Sequence, residues 1–182
     1  MRKLAFVLSL LAGPAFASGL QIEVEGEANG TITIDLREDL APAHVEQITA
    51  LAAEGAYDGV VFHRVIKGFM AQTGDVQFGK LEGGDMSRAG MGGSDRPNLK
   101  AEFSQERFLR GVVGMARSQD FDSANSQFFI MFEPGEFLNR QYTIVGEVTE
   151  GMDVVDQIKL GNGPNGSVVG RPDVMKKVTV IE

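Results

Sequence analysis

The feature that most restricts the fold of this chain is a succession of short β-rich runs, broken only twice by helical periodicity. Thr31-Ile32-Thr33-Ile34-Asp35-Leu36 alternates, placing Ile32, Ile34 and Leu36 on one face of a half-buried strand. Residues 21–24 pair with it through a turn at 25–30. A helix follows: Pro42 stands at its first position, Val45, Ile48, Leu51 and Ala52 form one apolar stripe, and Gly55 stops it. Further strands are predicted at 60–66, 69–72, 111–116, 127–132, 143–148 and 177–181. A second short helix is predicted at 152–160, with Met152, Val155 and Ile158 on one side. Eight strands, two helices and no regular βαβ alternation predict a mainly β fold: an eight-stranded antiparallel sheet closed into a barrel, its ends capped by two α-helices.

With 182 residues the chain suits one domain with a sizeable core. The first 17 residues read differently from the rest. Arg2 and Lys3 precede a mostly apolar run at 4–12, too short for a bilayer, and Ala15-Phe16-Ala17 is a small-x-small cleavage pattern. Residues 1–17 are therefore expected to be a secretory signal peptide and 18–182 the folded domain, with the periplasm as the expected compartment. Removal of 1–17 would take the net charge from −8 to −10. So acidic a chain repels phosphate backbones and anionic membrane surfaces, which argues against nucleic acid as a partner. No later segment is apolar for long enough to insert into a membrane.

Several chemistries are poorly supplied. There is no Cys, and His44 and His63 are the only histidines, so neither a zinc site nor thiol chemistry is expected. Ser126, His63 and Asp75 could be drawn as a hydrolytic triad, but no G-x-S-x-G elbow surrounds Ser126. The glycine-rich stretch at 83–93 lacks G-x-x-x-x-G-K-S/T and reads as a flexible surface loop. Asn29-Gly30-Thr31 and Asn165-Gly166-Ser167 match the glycosylation triplet, which matters only in a host that glycosylates.

Two segments mix strand formers with polar groups that do not simply alternate outward: residues 62–75 and 123–130. Within the first, Arg64 is a permanent cation in an apolar strand, on the face opposite His63. It is either paired with a carboxylate at the barrel rim or functional. Met70 and Gln72 share a strand face, as do Gln127 and Phe129. Such a set either belongs to the core or forms an apolar floor edged by amides, suited to a ring attached to a peptide.

These segments closely resemble the cyclophilin family. The family's F-H-R-V/I-I-x-G-F-M-x-Q-x-G-D stretch stands here at 62–75 and its S-Q-F-F-I stretch at 126–130. Its G-x-x-x-M-A segment is at 111–116 and its V-G-x-V-x-x-G-M-x-V segment at 145–154, so the likeness spans about residues 20–182. The resemblance implies a cofactor-free and metal-free peptidyl-prolyl cis-trans isomerase that acts on proline-containing unfolded or partly folded polypeptides. By position it implies Arg64 as catalytic, with Gln72 supporting it and touching substrate. Phe69, Met70 and Phe129 resemble the walls of a proline pocket, while Ala116, Arg117 and Gln127 match positions that meet the residues before proline. Phe137, Leu138 and Tyr142 resemble the far rim, and His63 a supporting neighbour.

The chain also departs from the family pattern. Lys67, Thr73 and Arg117 stand where proline, glycine and asparagine are common. Phe137 occupies the place of a tryptophan whose N–H many eukaryotic members carry, and Tyr142 the place of a histidine, so cyclosporin binding is expected to be weak. Two other readings remain open from the residues: a barrel that binds proline segments without turnover, and a structural envelope protein. Assistance to the folding of exported proteins is the role expected of an exported isomerase.

Overall fold

A computed structural model describes residues 18–182. The expected signal peptide at 1–17 lies outside the described residues. The chain opens with β1 (Gly19–Glu25) and β2 (Gly30–Leu36), which pair antiparallel from Gly19↔Asp35 to Val24↔Gly30, the hairpin expected from their alternation. After α1 (Pro42–Ala53) come the short strands β3 (Val60–Val61), β4 (Arg64–Ile66) and β5 (Met70–Thr73). A long irregular stretch then leads to β6 (Val112–Met115) and β7 (Phe128–Met131). A 3₁₀ turn at Glu136–Leu138 precedes β8 (Ile144–Glu150). The short helix α2 (Met152–Val155), a second 3₁₀ turn at Pro164–Gly166 and β9 (Val174–Ile181) complete the chain.

All strands of the described residues belong to one antiparallel sheet of nine strands, ordered β3-β9-β1-β2-β8-β6-β7-β5-β4. The mainly β architecture with two helices agrees with expectation, but the closed eight-stranded barrel does not. The sheet curls into a half-barrel whose edges, β3 and β4, do not pair with each other. The expected strand at 60–66 breaks at Phe62 and His63, where the backbone takes partners outside the ladder. Phe62 N–H donates to the Asp173 carbonyl, and the His63 carbonyl accepts from Val168 N–H. One expected strand thus becomes two, at opposite edges of the sheet. The second helix is also shorter than expected: Gln157 N–H and Ile158 N–H fall back to the carbonyls three residues earlier, Val154 O and Val155 O at 3.1 Å, and Lys159 N–H goes to the Asp173 carboxylate at 2.6 Å. Those groups therefore do not continue the helical ladder.

The strand pleat divides the apolar residues into two clusters. Residues of β1, β2, α1 and the inward side of β6–β8, among them Ile22, Ile34, Ile48, Val113, Phe128 and Val145, form the main core. The outward residues Met70, Val112, Phe129, Met131 and Ile144, with Phe108 and Leu138, form a second cluster on the other face. Gly114 makes this second layer possible. A Cβ there would lie 2.6 Å from both the Phe108 and Phe129 rings, which stack with centroids 5.9 Å apart.

Helix α1 is closed at both ends by identifiable contacts. The Glu102 carboxylate accepts Ala43 N–H (3.3 Å) and His44 N–H (3.2 Å), and its Oε2 lies 2.6 Å from His44 Nδ1. Two donors left open at the helix start are thereby satisfied. At the other end Ala56 N–H reaches Leu51 O and Gly55 N–H reaches Ala52 O, a Schellman closure with Gly55 at φ +70°. Only backbone strain opposes a side chain at that glycine, since the nearest atom to a built Cβ is 3.4 Å away. Gly55→Ala is expected to cost about 1 kcal/mol and to lower Tm by about 2–4 °C. A thermal melt reads this, and the circular dichroism spectrum at 25 °C should be unchanged.

Candidate active site

The outward face of β4, β5 and β7, together with the segments after β6 and before β8, forms the candidate site. Arg64 and Gln72 are cross-strand partners in the β4–β5 register, and Gln72 is in turn paired with Phe129 of β7. The register therefore brings three of the sequence-predicted residues side by side. Met70, two residues from Gln72, lies on the same face and is buried beneath the site, as its position in the pleat requires.

Arg64 is half-buried and makes no carboxylate pair among the described residues, which removes the rim ion pair as an account of it. Its Nε donates to the Asn165 carbonyl at 2.9 Å and its Nη1 to Gln72 Oε1 at 3.1 Å, with Met70 Sδ 3.9 Å from Nη1. Gln72 Nε2 donates to Gln127 Oε1 at 2.9 Å, and Gln127 Nε2 donates to the carbonyls of Gly90 (3.0 Å) and Gly92 (2.7 Å). An arginine only donates and a backbone carbonyl only accepts, so the two amides between them have one consistent orientation. Burial pulls the Arg64 guanidinium below its ordinary value, and Tyr142 pulls it the other way.

Next to this relay lies a cavity of about 250 Å³, lined by Arg64 and Gln72 on one side and by Phe69, Met70 and Phe129 as its apolar wall. Ala116, Arg117, Phe137, Leu138 and Tyr142 complete its lining. Aromatic contacts hold its shape: Phe69 packs on Phe137 with centroids 5.4 Å apart, and Tyr142 meets the Phe129 ring edge-on at 5.8 Å. Phe137 itself is 71% exposed and forms an open rim. A second, neighbouring cavity of about 380 Å³ shares Gln72, Ala116 and Arg117 and adds Gln127, Met91, Ser118 and Ser123. Of the residues expected to form the site, all but His63 line one cavity or the other.

Arg117 adopts a structural arrangement that its sequence position did not indicate. Its guanidinium carbon lies 4.3 Å from the centroid of Tyr142 and 4.5 Å from that of Phe121. Its nitrogens donate to the carbonyls of Gln141 (3.2 and 2.9 Å) and Ser118 (2.8 Å). The side chain thus braces the rim, with most of its donors taken by the protein itself.

His63 sits beneath the site and not in it. It is 7% exposed, and neither ring nitrogen has a hydrogen-bond partner among the described residues, although Gln127 and the Val61 backbone are near. Burial pushes its pKa down to about 4, against the opposing pull of the Asp75 carboxylate. Sequence reading also passed over Asn165, Gly90 and Gly92 as site elements. They contribute backbone carbonyls, which carry no residue-type signal.

Comparison with known proteins places this geometry in context. The model of the family described as "Cyclophilin type peptidyl-prolyl cis-trans isomerase/CLD" matches residues 20–180. A Brucella suis protein named "Probable peptidyl-prolyl cis-trans isomerase" is 60% identical over 153 residues, covering 84% of this chain and 78% of that protein. The crystal structure of a Hirschia baltica cyclophilin has a TM-score of 0.70 at 26% identity, over 88% of this chain and 73% of that one. A Cryptosporidium parvum cyclophilin type peptidyl-prolyl cis-trans isomerase, solved in the presence of the dipeptide Ala-Pro, has a TM-score of 0.74 at 23% identity, over 90% of this chain and 99% of that one.

The buried imidazole makes stability depend on pH. A histidine pKa depressed from 6.5 to about 4 contributes stability that is fully present above pH 6.5 and lost as pH falls toward 4. The loss attributable to His63 is about 3 kcal/mol. Urea midpoints measured from pH 7 to pH 4 should therefore fall more steeply for the parent than for His63→Gln. Parallel curves would remove His63 as the cause.

Proposed function

This chain belongs to the family of cyclophilin-type peptidyl-prolyl cis-trans isomerases, and from that premise we propose which of its residues carry the reaction and where it acts. The protein is an isomerase, and proline-containing peptides are its substrate class. Arg64 is the catalytic residue. The observation that carries this reading is a guanidinium fixed by Asn165 O and Gln72 Oε1 on the wall of an apolar cavity, with Nη2 making no hydrogen bond among the described residues.

The chemistry follows from the amide. Rotation about a peptide bond meets a barrier of ~18–20 kcal/mol because resonance is lost at the perpendicular geometry. There the prolyl nitrogen becomes pyramidal and basic. Arg64 donates a hydrogen bond to that lone pair, which is weakly available in the planar ground state and strongly available in the twisted one, so the interaction favours the transition state. The proline ring sits against Phe69, Met70 and Phe129, while Gln72 holds the guanidinium and touches the peptide. Ala116, Arg117 and Gln127 meet the residues before proline, and Phe137, Leu138 and Tyr142 form the far rim. His63 supports the site from below, neutral at physiological pH.

A charge-assisted hydrogen bond contributes roughly 1.5–3 kcal/mol. A rate gain of ~10⁵ requires about 7 kcal/mol. The difference falls to the apolar pocket and to holding the prolyl ring while the acyl side turns. No proton transfer, nucleophile or metal enters the step.

We place the mature protein, residues 18–182, in the periplasm after removal of a signal peptide at 1–17. There it assists the folding of exported polypeptides. The positive Arg2-Lys3 start, the apolar run and Ala15-Phe16-Ala17 support that reading. Cyclosporin binds weakly, since Phe137 has no ring N–H to donate.

Arg64→Ala should lower kcat/KM on a short X–Pro peptide by at least ~10-fold and up to ~100-fold. Arg64→Lys should do nearly as badly, because an ammonium lacks the planar fork that engages Asn165 and Gln72 together. Circular dichroism should show both variants folded. Parental turnover by both would exclude Arg64 from the reaction.

A further inference from the structure

The glycine-rich stretch at 83–93 reads as a flexible loop, yet its last residues are gripped from two sides. Asp75 is fully buried, and its Oδ2 accepts Gly90 N–H at 2.7 Å and Gly92 N–H at 3.0 Å. Its Oδ1 accepts the N–H groups of Gln77 (3.1 Å) and Phe78 (2.9 Å). The carbonyls of the same two glycines are those that receive Gln127 Nε2. We propose that Asp75 is a positioning residue for Arg64, acting through the Gly90 and Gly92 backbone, Gln127 and Gln72. This rests on the catalytic reading of Arg64 given above.

Close approach demands glycine at both loop positions. A Cβ on Gly92 would lie 2.5 Å from Asp75 Oδ1, and one on Gly90 would lie 3.0 Å from the His63 ring at φ +94°. Glycine also leaves the backbone its greatest freedom, so two untethered glycines would present wandering carbonyls. The carboxylate limits that freedom by holding the Gly90 and Gly92 N–H groups, whose peptide planes lie on either side of the one that carries the Gly90 carbonyl; that middle plane is held in turn by Met91 N–H donating to Arg88 O at 2.9 Å. Gln127 then has a defined pair of acceptors, Gln72 a defined acceptor in Gln127, and Arg64 Nη1 a defined acceptor in Gln72. Every bond in the series runs in the same donor-to-acceptor sense, so loosening the loop end releases the guanidinium end. Placement of a reacting group is worth large factors in rate, and about 1 Å of displacement can cost ~100-fold.

The test replaces Asp75 by Asn, which keeps the shape but turns an N–H₂ group against backbone N–H donors. Asp173→Asn is the control. Asp173 is also buried and accepts two backbone N–H groups, from Ala28 and Lys159, but it takes no part in the relay. Peptide isomerisation gives kcat and KM, and NMR of the peptide-free protein gives the Arg64 Nε–H and the Gln72 and Gln127 side-chain amide signals. For Asp75→Asn, kcat should fall about tenfold with KM within about twofold, and all three signals should shift or broaden. Asp173→Asn should keep parental kcat and parental signals. Parental kcat and signals in a folded Asp75→Asn protein would overturn the proposal, as would an equal loss in Asp173→Asn. If Asp75→Asn does not fold, Gln127→Glu interrupts the same series, and an unaltered Arg64 Nε–H signal there would overturn it. Should the parent itself fail to turn over peptide, the catalytic reading falls, while the NMR signals still decide whether Asp75 positions Arg64.

Discussion

The pleat of β7 is the constraint on which the site depends. All four of its residues are buried, and the alternation sends Phe128 and Ile130 into the main core and Phe129 and Met131 into the outer cluster. A shift of one residue would turn the core residues outward and the pocket floor inward. The packing of the interior therefore locks the position of the pocket wall. The neighbouring strands follow the same rule. Met70 and Gln72 face the site because Ala71 and Thr73 face the other way, the latter donating from Oγ1 to Val61 O at 2.9 Å. Gly114 in β6 leaves room for Phe108 to stack on Phe129 from behind. A shallow cavity on an outer sheet face gains the rigidity of a core by sharing its strands.

Against that apolar floor the protein sets one cation with neutral partners. A carboxylate 4 Å from Arg64 would attract it by about 4 kcal/mol at an effective dielectric constant near 20. Such a partner would compete with any weak acceptor offered by a substrate. A carbonyl and an amide oxygen instead hold the guanidinium without neutralising it. This is the more notable in a chain of net charge −8. The acidic side chains that pair with cations do so elsewhere, as Asp156 does with Arg110 and Asp39 with Arg37. The amides that hold Arg64 end on backbone carbonyls, and the Asp75 carboxylate stands beyond them, separated from the relay by the two glycines.

The rim is organised by a different device. Arg117 lies between Tyr142 and Phe121 and donates to Gln141 O and Ser118 O, joining the segment after β6 to the one before β8. Both cavities include this residue, so a single side chain forms part of the wall between them. Its charge is spread over aromatic faces and carbonyl dipoles, partners that suit a weakly hydrated guanidinium better than an ammonium.

Much of this protein was legible in local pattern. The 31–36 alternation and its turn specified the β1–β2 hairpin, and Pro42, the apolar stripe and Gly55 specified α1. The two motif segments hold Arg64, Phe69, Met70, Gln72, Gln127 and Phe129 of the cavity linings, while Ala116, Arg117, Phe137, Leu138 and Tyr142 lie outside them. Local pattern could not show that residues 60–66 break into two edges, since the break is made by Asp173 O and Val168 N–H from more than a hundred residues away. Nor could it show that Lys159 N–H leaves the second helix for the Asp173 carboxylate, or that Arg117 lies over the rings of Tyr142 and Phe121. By itself the sequence determined which faces are apolar, because that is a property of residue type and spacing, while it left Arg64 open between a rim ion pair and a functional role until the family likeness was drawn. The tertiary structure alone decided where the carbonyls of Asn165, Gly90 and Gly92 point, because every residue has a carbonyl and only its folded surroundings aim it.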